Sequence, residues 1–405
     1  MNFSFELSPE LRDYGNTLRD WSVAEVRPCA RIADLTHEPP AHWRDIVASC
    51  PVPIRHGVGG SVREHFPEGR WIRDLVHIEC LNYGDNWIND VTGAGIGHLT
   101  VKIMGTPEQV ERWYRPVVDH GGVTAFALTE PGFGSDTSMV STTATRDGDM
   151  WVINGAKMYC SGASRADYLV VFATTDRSLG PSAIKAFVVP RGTPGFIIVK
   201  DNEDKLGIRA WNTAELRFEG CAIPVDHQLG WRGDVPQAAN AGAGSSPSTQ
   251  SGRSGALGAL AQNKPNMSAL GIAMAQASLD VTAPLLYEQR ASFAPHRWTL
   301  IDNDLSAMNA ALDRARRLNW RAQWLMDVGR PNKTEASMAK AYGPPTQERI
   351  IRRCMQLLGP DGASTDLLLE KWYRDVKILD IFEGSGQVQR IIVGRAVIGQ
   401  DAGRG

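Results

Sequence analysis

Near the C-terminus the chain reads Phe382-Glu383-Gly384-Ser385-Gly386-Gln387. The ten residues before this stretch, 372–381, carry charges on one side and large apolar side chains on the other, so Glu383 lies between an apolar segment and a flexible Gly-Ser-Gly turn. Desolvation in a poorly hydrated cleft raises the pKa of a carboxyl group and makes it a better general base near neutral pH. On the hexapeptide alone, a surface glutamate before a glycine that ends a helix explains the pattern better.

A second stretch, more than two hundred residues upstream, changes that balance. It reads Ala125-Phe126-Ala127-Leu128-Thr129-Glu130-Pro131-Gly132-Phe133-Gly134-Ser135-Asp136. A short β-type run ends in Thr-Glu-Pro and is followed by a Gly-x-Gly-Ser-Asp loop. The glycines let the backbone approach a ligand closely, and the N–H and hydroxyl groups of the loop can bind oxygens. Alone, such a loop is usually only a turn.

Together the two stretches resemble the acyl-CoA dehydrogenase family, flavoproteins that desaturate acyl thioesters. The resemblance extends over nearly the whole chain, and the order and spacing of the motifs are more specific than any one of them. The further matching segments are Asn154-Gly155-Ala156-Lys157-Met158-Tyr159-Cys160-Ser161, the run from Leu206 to Pro224, Tyr287-Glu288-Gln289-Arg290-Ala291-Ser292-Phe293, and Gln356-Leu357-Leu358-Gly359.

Length and composition limit the class of protein. With 405 residues the chain is expected to form two or three domains, and its formal charge of −2 gives no basic surface for nucleic acid. We find no apolar run of membrane-spanning length and no signal peptide. The six cysteines are scattered and the nine histidines do not cluster, which predicts buried thiols in a reducing compartment and no metal site. The expected location is the cytoplasm.

The periodicity of apolar residues predicts three domains in an α+β fold, which is also the layout of the family. Residues 1–123 read as helical, beginning at Ser8-Pro9-Glu10 with an apolar stripe of Leu11, Tyr14, Leu18 and Trp21. Residues 124–232 contain short β-type runs separated by turns, which predict an antiparallel barrel or sandwich.

Residues 233–405 predict a C-terminal four-helix bundle. The four helices are expected at Ser268–Gln289, Asp302–Val328, Lys333–Leu358 and after Gly386. Before them, residues 237–260 consist mostly of Ala, Gly, Ser, Thr and Pro, which predicts a disordered loop.

Desaturation next to a thioester needs a base for the α-proton, an acceptor for the β-hydride and donors for the enolate-like oxygen. No side chain accepts hydride, so a cofactor must do so. The resemblance implies FAD as that cofactor, with hydride transfer to flavin N5, and Glu383 as the base. It further implies that the Glu383 N–H polarises the thioester carbonyl, and that Ser135, Glu383 and Gly384 contact the substrate.

The resemblance also assigns residues to FAD. Leu128 and Thr129 match positions that bind the flavin ring, and Ser135 matches one that reaches the pyrophosphate or the mouth of the substrate site. Tyr159 stands where the family usually has tryptophan beside the flavin, and Ser161 matches the hydroxyl that bonds N5. The remaining matches concern the diphosphate and adenosine, held partly by a neighbouring subunit, and are Arg290, Phe293, Gln356, Gly359, Ser385 and Gln387.

Each assignment has a structural alternative. Tyr159 and Ser161 can be alternating faces of a strand, Arg290 a surface salt-bridge partner, and Gln356 an ordinary helix residue. The sequence also departs from the family at several positions, which bears on the substrate more than on the flavin. These positions are Ala294 and Pro360 in place of glycines, Asp302-Asn303 near a missing glutamine, and Gln262 with Lys264 nearby where an arginine is expected.

Three functions remain open from the sequence. The first is dehydrogenation of an acyl-CoA or acyl-carrier-protein thioester to the trans-2-enoyl product, in fatty acid or acyl-thioester metabolism. Electrons would pass to an electron-transfer flavoprotein, and the enzyme would be a homotetramer or homodimer. The second is an oxygen-reactive oxidase or flavin monooxygenase on the same fold, although a monooxygenase would not need Glu383. The third is a subunit of a heteromeric acyl-CoA dehydrogenase.

Overall fold

The computed structural model describes residues 6–54, 70–93, 95–232 and 252–399. Along this part of the chain, N-terminal helices are followed by a seven-stranded sheet and then by long C-terminal helices. The predicted α+β class and the order of its parts are therefore confirmed.

The N-terminal part consists of short helices, of which those up to residue 92 share one apolar core and the last two bury apolar residues against the sheet. Ser8 caps the first helix, because its Oγ accepts a hydrogen bond of 3.2 Å from the Leu11 N–H, and the predicted stripe of this helix is buried. The helices are α1 (Pro9–Trp21), α2 (Ala30–Thr36), α3 (Trp43–Ala48), α4 (Arg70–Leu81), α5 (Trp87–Thr92), α6 (Gly97–Met104) and α7, which runs through Pro107–Gln109, Val110–Tyr114 and Arg115–His120.

The central sheet is mixed, which corrects the prediction of a purely antiparallel domain. Its strands are β1 (Thr124–Ala127), β2 (Thr143–Asp147), β3 (Met150–Ser161), β4 (Tyr168–Thr174), β5 (Ile184–Pro190), β6 (Phe196–Lys200) and β7 (Thr213–Pro224). They lie in the order β1-β4-β2-β3-β7-β6, with β5 against β4. Strands β1 and β4 pair in parallel, because the chain between them makes the β2–β3 hairpin and returns in the original direction.

Within residues 252–399, the C-terminal part is built on three long helices and two shorter α-helices. These are α8 (Gly252–Glu288), α9 (Pro295–Asp327), α10 (Lys333–Leu358), α11 (Leu369–Val376) and α12 (Gly386–Val397). The prediction for α10 has the observed bounds, and that for the last helix is confirmed. Helices α8 and α9 begin sixteen and seven residues earlier than predicted, at Gly252 and Pro295.

The early start of α8 contradicts the predicted disorder at residues 252–260. Small side chains here serve close packing: a Cβ on Gly252 would lie 2.7 Å from the Ile184 carbonyl oxygen, and one on Gly255 would lie 2.0 Å from the Met104 sulfur. Ala256 and Ala259 are fully buried in the same segment. A composition typical of a flexible loop is thus also typical of a helix pressed against its neighbours. Residues 237–251 of the predicted loop lie outside the described residues.

Helix α8 is also more apolar than we expected from the sequence. By length and composition alone, Gly255–Glu288 is long and apolar enough to cross a membrane, although 67% of its most apolar window is buried inside the protein. That burial is typical of the central helix of a packed bundle, and the length criterion by itself is weak.

A buried ionic cluster attaches α11 to the N-terminal helices. The ammonium group of Lys371 lies 2.7 Å from Asp85 Oδ2 and 2.6 Å from Asp375 Oδ2, and Asp375 Oδ1 accepts a hydrogen bond from the Ile208 N–H. Burial works to lower the pKa of Lys371, but the charges of Asp375 and Asp85 outweigh it and raise this pKa above its usual value. The cluster fixes α11, shortly before Glu383, against two other parts of the chain, at Asp85 and at Ile208.

Candidate active site

The candidate base lies in a tight turn between α11 and α12. Glu383 has a φ of 55°, a left-handed conformation that is uncommon outside glycine, and Gly384 follows with a φ of 86°. Lys340 of α10 holds this turn. Its Nζ donates hydrogen bonds to the carbonyl oxygens of Phe382 at 3.0 Å and Gly384 at 3.4 Å. Gln389 of α12 donates a further bond of 2.9 Å to the Gly384 carbonyl.

The two carboxylate oxygens of Glu383 have different surroundings. Oε1 accepts a hydrogen bond of 2.7 Å from Asn263 Nδ2 of α8, whereas Oε2 is buried and accepts none from the described residues. Burial raises the pKa of Glu383 to about 7, although the Asn263 bond and the positive charges of Lys340 and Lys264 act in the opposite direction. A carboxylate with one buried, unbonded oxygen and this pKa is suited to accept a proton near neutral pH.

Two buried lysines face this carboxylate. Lys340 is fully buried and Lys264 is 6% exposed. Burial lowers the pKa of each to about 8, against the stabilising charge of Glu383. Their proximity favours the ionised form of Glu383 in a place where burial alone would neutralise it.

The predicted flavin-ring residues lie at the edge of the sheet where β1 ends. The Met158 N–H of β3 donates a hydrogen bond of 2.9 Å to the Thr129 carbonyl. The fully buried Lys157 donates one of 3.2 Å to the Leu128 carbonyl. Lys157 also forms an ion pair of 2.8 Å with Glu130. The structure therefore brings the end of β1 and the C-terminal half of β3 together, and the buried Lys157 holds them in place.

Tyr159 and Ser161 present an unusual surface on β3. Tyr159 is 59% exposed and has a φ of 55°, and the pairing of β3 with β7 shifts between Lys157 and Cys160. Ser161 is exposed beyond it. Such a bulge changes the direction of side chains, and an exposed aromatic ring two residues from an exposed hydroxyl group, on the strand bonded to Leu128 and Thr129, suits a planar ring with polar edges. These residues therefore fit a flavin.

The glycine loop after β1 is open to solvent. Ser135 is exposed, and Cβ atoms added to Gly132 or Gly134 would meet no atom within 4 Å. The space above the loop is accessible to a ligand, as the prediction for Ser135 requires. On the other side of the turn, Ser385 caps α12 through a bond of 3.5 Å from the Val388 N–H, and Gln387 is exposed on its first turn.

Arg290 and Phe293 follow the C-terminal end of α8, far from Glu383. Helix α8 carries Asn263 beside Glu383 and ends at Glu288, so about 35–40 Å of helix separates the two ends at a rise of about 1.5 Å per residue. Arg290 is exposed and stacks over the Trp298 ring at 5.3 Å. Phe293 contacts the same ring, with 6.2 Å between centroids.

Gln356 and Gly359 line a shallow pocket of about 350 Å³ at the C-terminal end of α10, together with Arg352, Met355, Ala363 and Tyr373. Both Gln356 and Gly359 are exposed, and Gly359 has a φ of 62°, which favours glycine. The predicted site residues thus form separate groups in one chain: one around Glu383, one at the edge of the sheet after β1, and others at the ends of α8 and α10.

Comparison with known proteins gives the family. Two family profiles match the chain, "Acyl-CoA dehydrogenase, middle domain" at residues 125–221 and "Acyl-CoA dehydrogenase, C-terminal domain" at residues 250–398. The short-chain-specific acyl-CoA dehydrogenase of Clostridium acetobutylicum is 33% identical over 295 residues, which are 71% of this chain and 72% of that protein. The chain belongs to the acyl-CoA dehydrogenase family.

Other proteins similar to this chain belong to the same family. The mitochondrial short-chain-specific acyl-CoA dehydrogenase of Bos taurus is 40% identical over 291 residues, 72% of this chain, and the match spans 66% of that enzyme's length. The solved structure of butyryl-CoA dehydrogenase from Megasphaera elsdenii has a TM-score of 0.82 and 25% identity, and covers 98% of this chain and 100% of its own. Acyl-CoA dehydrogenases are flavin-dependent oxidoreductases, which the sequence had indicated.

The sequence did not identify every residue around Glu383 in this member of the acyl-CoA dehydrogenase family. Asn263 lies in a stretch that composition alone makes unremarkable, and Lys340 stands between two alanines. A lysine beside small residues in a helix is a weak indication of a functional site, because the same pattern occurs in any amphipathic helix. Only the fold brings these two side chains to Glu383.

Proposed function

We propose that the chain is an FAD-dependent acyl-CoA dehydrogenase that converts an acyl-CoA to its trans-2-enoyl thioester. One observation carries the proposal: the Glu383 carboxylate has a buried oxygen, Oε2, that accepts no hydrogen bond from the described residues, and burial raises its pKa to about 7. A merely structural glutamate would have both oxygens bonded or exposed to water.

In the proposed reaction, Glu383 Oε2 takes the α-proton of the acyl group. Among the described residues the Glu383 N–H donates no hydrogen bond, so it is available to the thioester oxygen as negative charge develops there. Lys340 holds the carbonyls on either side of Glu383 and so fixes both the N–H and the carboxylate. A bound FAD supplies the acceptor for the β-hydride at its N5.

Leu128, Thr129, Tyr159 and Ser161 would hold the flavin ring opposite Glu383, and Ser135 would reach the pyrophosphate or the mouth of the substrate site. Tyr159 would cover one face of the ring, and its exposed side chain supports this role. Ser385 and Gln387, at the start of α12, supply further contacts. The backbone of Gly384 would contact the substrate beside its thioester.

We further propose that Arg290, Phe293, Gln356 and Gly359 complete the FAD site of a second copy in a homodimer or homotetramer. The length of α8 supports this, because Arg290 lies too far from Glu383 to serve the same chain's flavin. Arginine offers a planar pair of donors suited to a diphosphate. By family resemblance, the electron acceptor is an electron-transfer flavoprotein.

The decisive experiment is Glu383→Gln, which keeps the shape of the side chain and removes the base. Mixed anaerobically with an acyl-CoA panel, the variant is expected to bind substrate and perturb the flavin spectrum, while bleaching slows at least about a hundredfold. Its FAD content should match the wild type. Glu348→Gln, which breaks a surface ion pair with Lys377, is the matched control and should bleach at the wild-type rate.

The pH dependence tests the same assignment. The base acts when ionised, so kcat/KM should rise with pH through about 7, the pKa to which burial raises Glu383. Glu383→Asp should retain partial activity, because a carboxylate one methylene shorter is further from the α-proton. A Glu383→Gln variant that bleaches at the wild-type rate would show that the base lies elsewhere.

A further inference from the structure

We propose that Asn263 is a positioning residue for Glu383, whose amide fixes Oε1 so that Oε2 alone is presented to the α-proton. The inference rests on the proposed function. It concerns a residue to which no sequence pattern assigned a role. The contact that suggests it is the 2.7 Å bond from Asn263 Nδ2 to Glu383 Oε1.

The orientation of the Asn263 amide is determined by its neighbours. Gln323 Nε2 of α9 donates to Asn266 Oδ1 at 3.3 Å, and Asn266 Nδ2 donates to Asn263 Oδ1 at 3.0 Å. Asn263 Nδ2 then donates to Glu383. Turning over the Asn263 amide would place its oxygen against the carboxylate and its nitrogen against a donor, so the chain of amides has one direction.

This direction has a chemical consequence. An N–H that donates to a carboxylate stabilises the charged form, which is the form a base needs before it takes a proton. The bond also stops the carboxylate from exchanging its two oxygens, because the terminal torsion of a glutamate is otherwise broad. Oε1 is thereby kept for Asn263, and Oε2, buried and without a bond from the described residues, is left for the substrate.

Other charged groups face Glu383 and must be kept constant in a test. They are Lys264 on α8 and Lys340 on α10, with Asp380 in the 3-10 turn before Glu383 acting on Lys340. None of these groups is altered by a change at Asn263. A change in the pH profile can therefore be assigned to the lost amide bond.

The test is Asn263→Leu, which keeps the volume and removes the donor. In the FAD-loaded enzyme, the acid limb of the kcat/KM profile is expected to move up by about one pH unit, the size of one charge-assisted hydrogen bond. The plateau above that limb should fall about tenfold as the carboxylate loses its orientation. Asn309→Leu on α9, where the amide bonds only a carbonyl of its own helix at 2.9 Å, is the matched control and should change neither.

A spectroscopic readout avoids relying on turnover. The infrared band of the protonated carboxyl group that disappears in Glu383→Gln should titrate at higher pH in Asn263→Leu than in the wild type. Asn263→Asp, which keeps the shape but sets a second carboxylate beside the first, should move the limb further still, since like charges raise each other's pKa. This second variant keeps the test valid if Asn263→Leu folds poorly.

The inference is overturned if Asn263→Leu lowers the rate equally at every pH and the band titrates as in the wild type, since a structural role would do only that. An unchanged rate and profile would overturn it as well. In either case a Glu383→Gln variant that still fails to bleach leaves the proposed function standing, so the two failures are distinguishable.

Discussion

Replacing Lys157 by methionine tests whether the buried Glu130–Lys157 pair stabilises the part of the sheet assigned to the flavin. Lys157 is fully buried and Glu130 is 4% exposed. Burial works to raise the pKa of Glu130, but the charge of Lys157 and its hydrogen bond, with bonds from Ser141 and Thr142, lower it to about 2. Relative to the usual value of 4.5, that shift corresponds to about 3 kcal/mol of stabilisation of the charged form.

The expected loss in Lys157→Met is about 3 kcal/mol in the free energy of unfolding, in line with breaking a buried pair. Four donors from Ser141 and Thr142 remain on Glu130, at 2.6–2.9 Å, so the loss should not greatly exceed this value. The double variant Lys157→Met/Glu130→Gln should recover part of it, because no uncompensated charge stays buried. Urea midpoints followed by tryptophan fluorescence, at fixed protein concentration and saturating FAD, measure these differences.

Acid titration tests the direction in which the free energy of unfolding changes with pH. A carboxylate whose pKa is lower in the folded protein stabilises it above the unfolded value and loses this effect as pH falls through the folded value. The wild type should therefore lose this contribution between pH about 4.5 and about 2, and Lys157→Met should show a smaller change there. A loss below about 1 kcal/mol in the single variant, with no recovery in the double, would refute the reasoning.

Two further predictions concern the site. Arg290→Ala should weaken FAD retention and the oligomer together, measured by flavin content after gel filtration; a monomer with full FAD would contradict the assignment to a second copy. Lys340→Met removes the donor to the carbonyls on both sides of Glu383 and should slow anaerobic bleaching about tenfold at unchanged FAD content, with Lys377→Met as the surface control. A wild-type rate in Lys340→Met would mean that Gln389 alone suffices to hold the turn.

The sequence predicted those features that depend on local patterns. The N-cap at Ser8 and the buried stripe that follows it could be predicted because capping and helix periodicity depend on residues close together in the sequence. The bounds of α10 were predicted for the same reason. The turn at Glu383 was readable because its glycines and its resemblance to a family motif coincide.

Other features depend on contacts between distant parts of the chain. The parallel pairing of β1 with β4 cannot be read from strand periodicity, which is the same for both directions. Residues 252–260 looked disordered because the small side chains that allow close packing are also those of flexible linkers. Asn263 and Lys340 reach Glu383 only through the packing of α8 and α10.

Glu383 and Tyr159 share the same left-handed backbone conformation, with φ 55° in both, at the two predicted sides of the cleft. Neither residue is of a type that tolerates this conformation well, and it persists because the surrounding contacts enforce it. Glycine at either position would relax the backbone, and at position 383 it would also remove a carboxylate that is costly to bury. Selection for thermal resistance alone would thus favour glycine at position 383, a replacement that removes the base of the proposed reaction. Both residues mark a trade-off in which the chain is less stable than it could be where it is proposed to act.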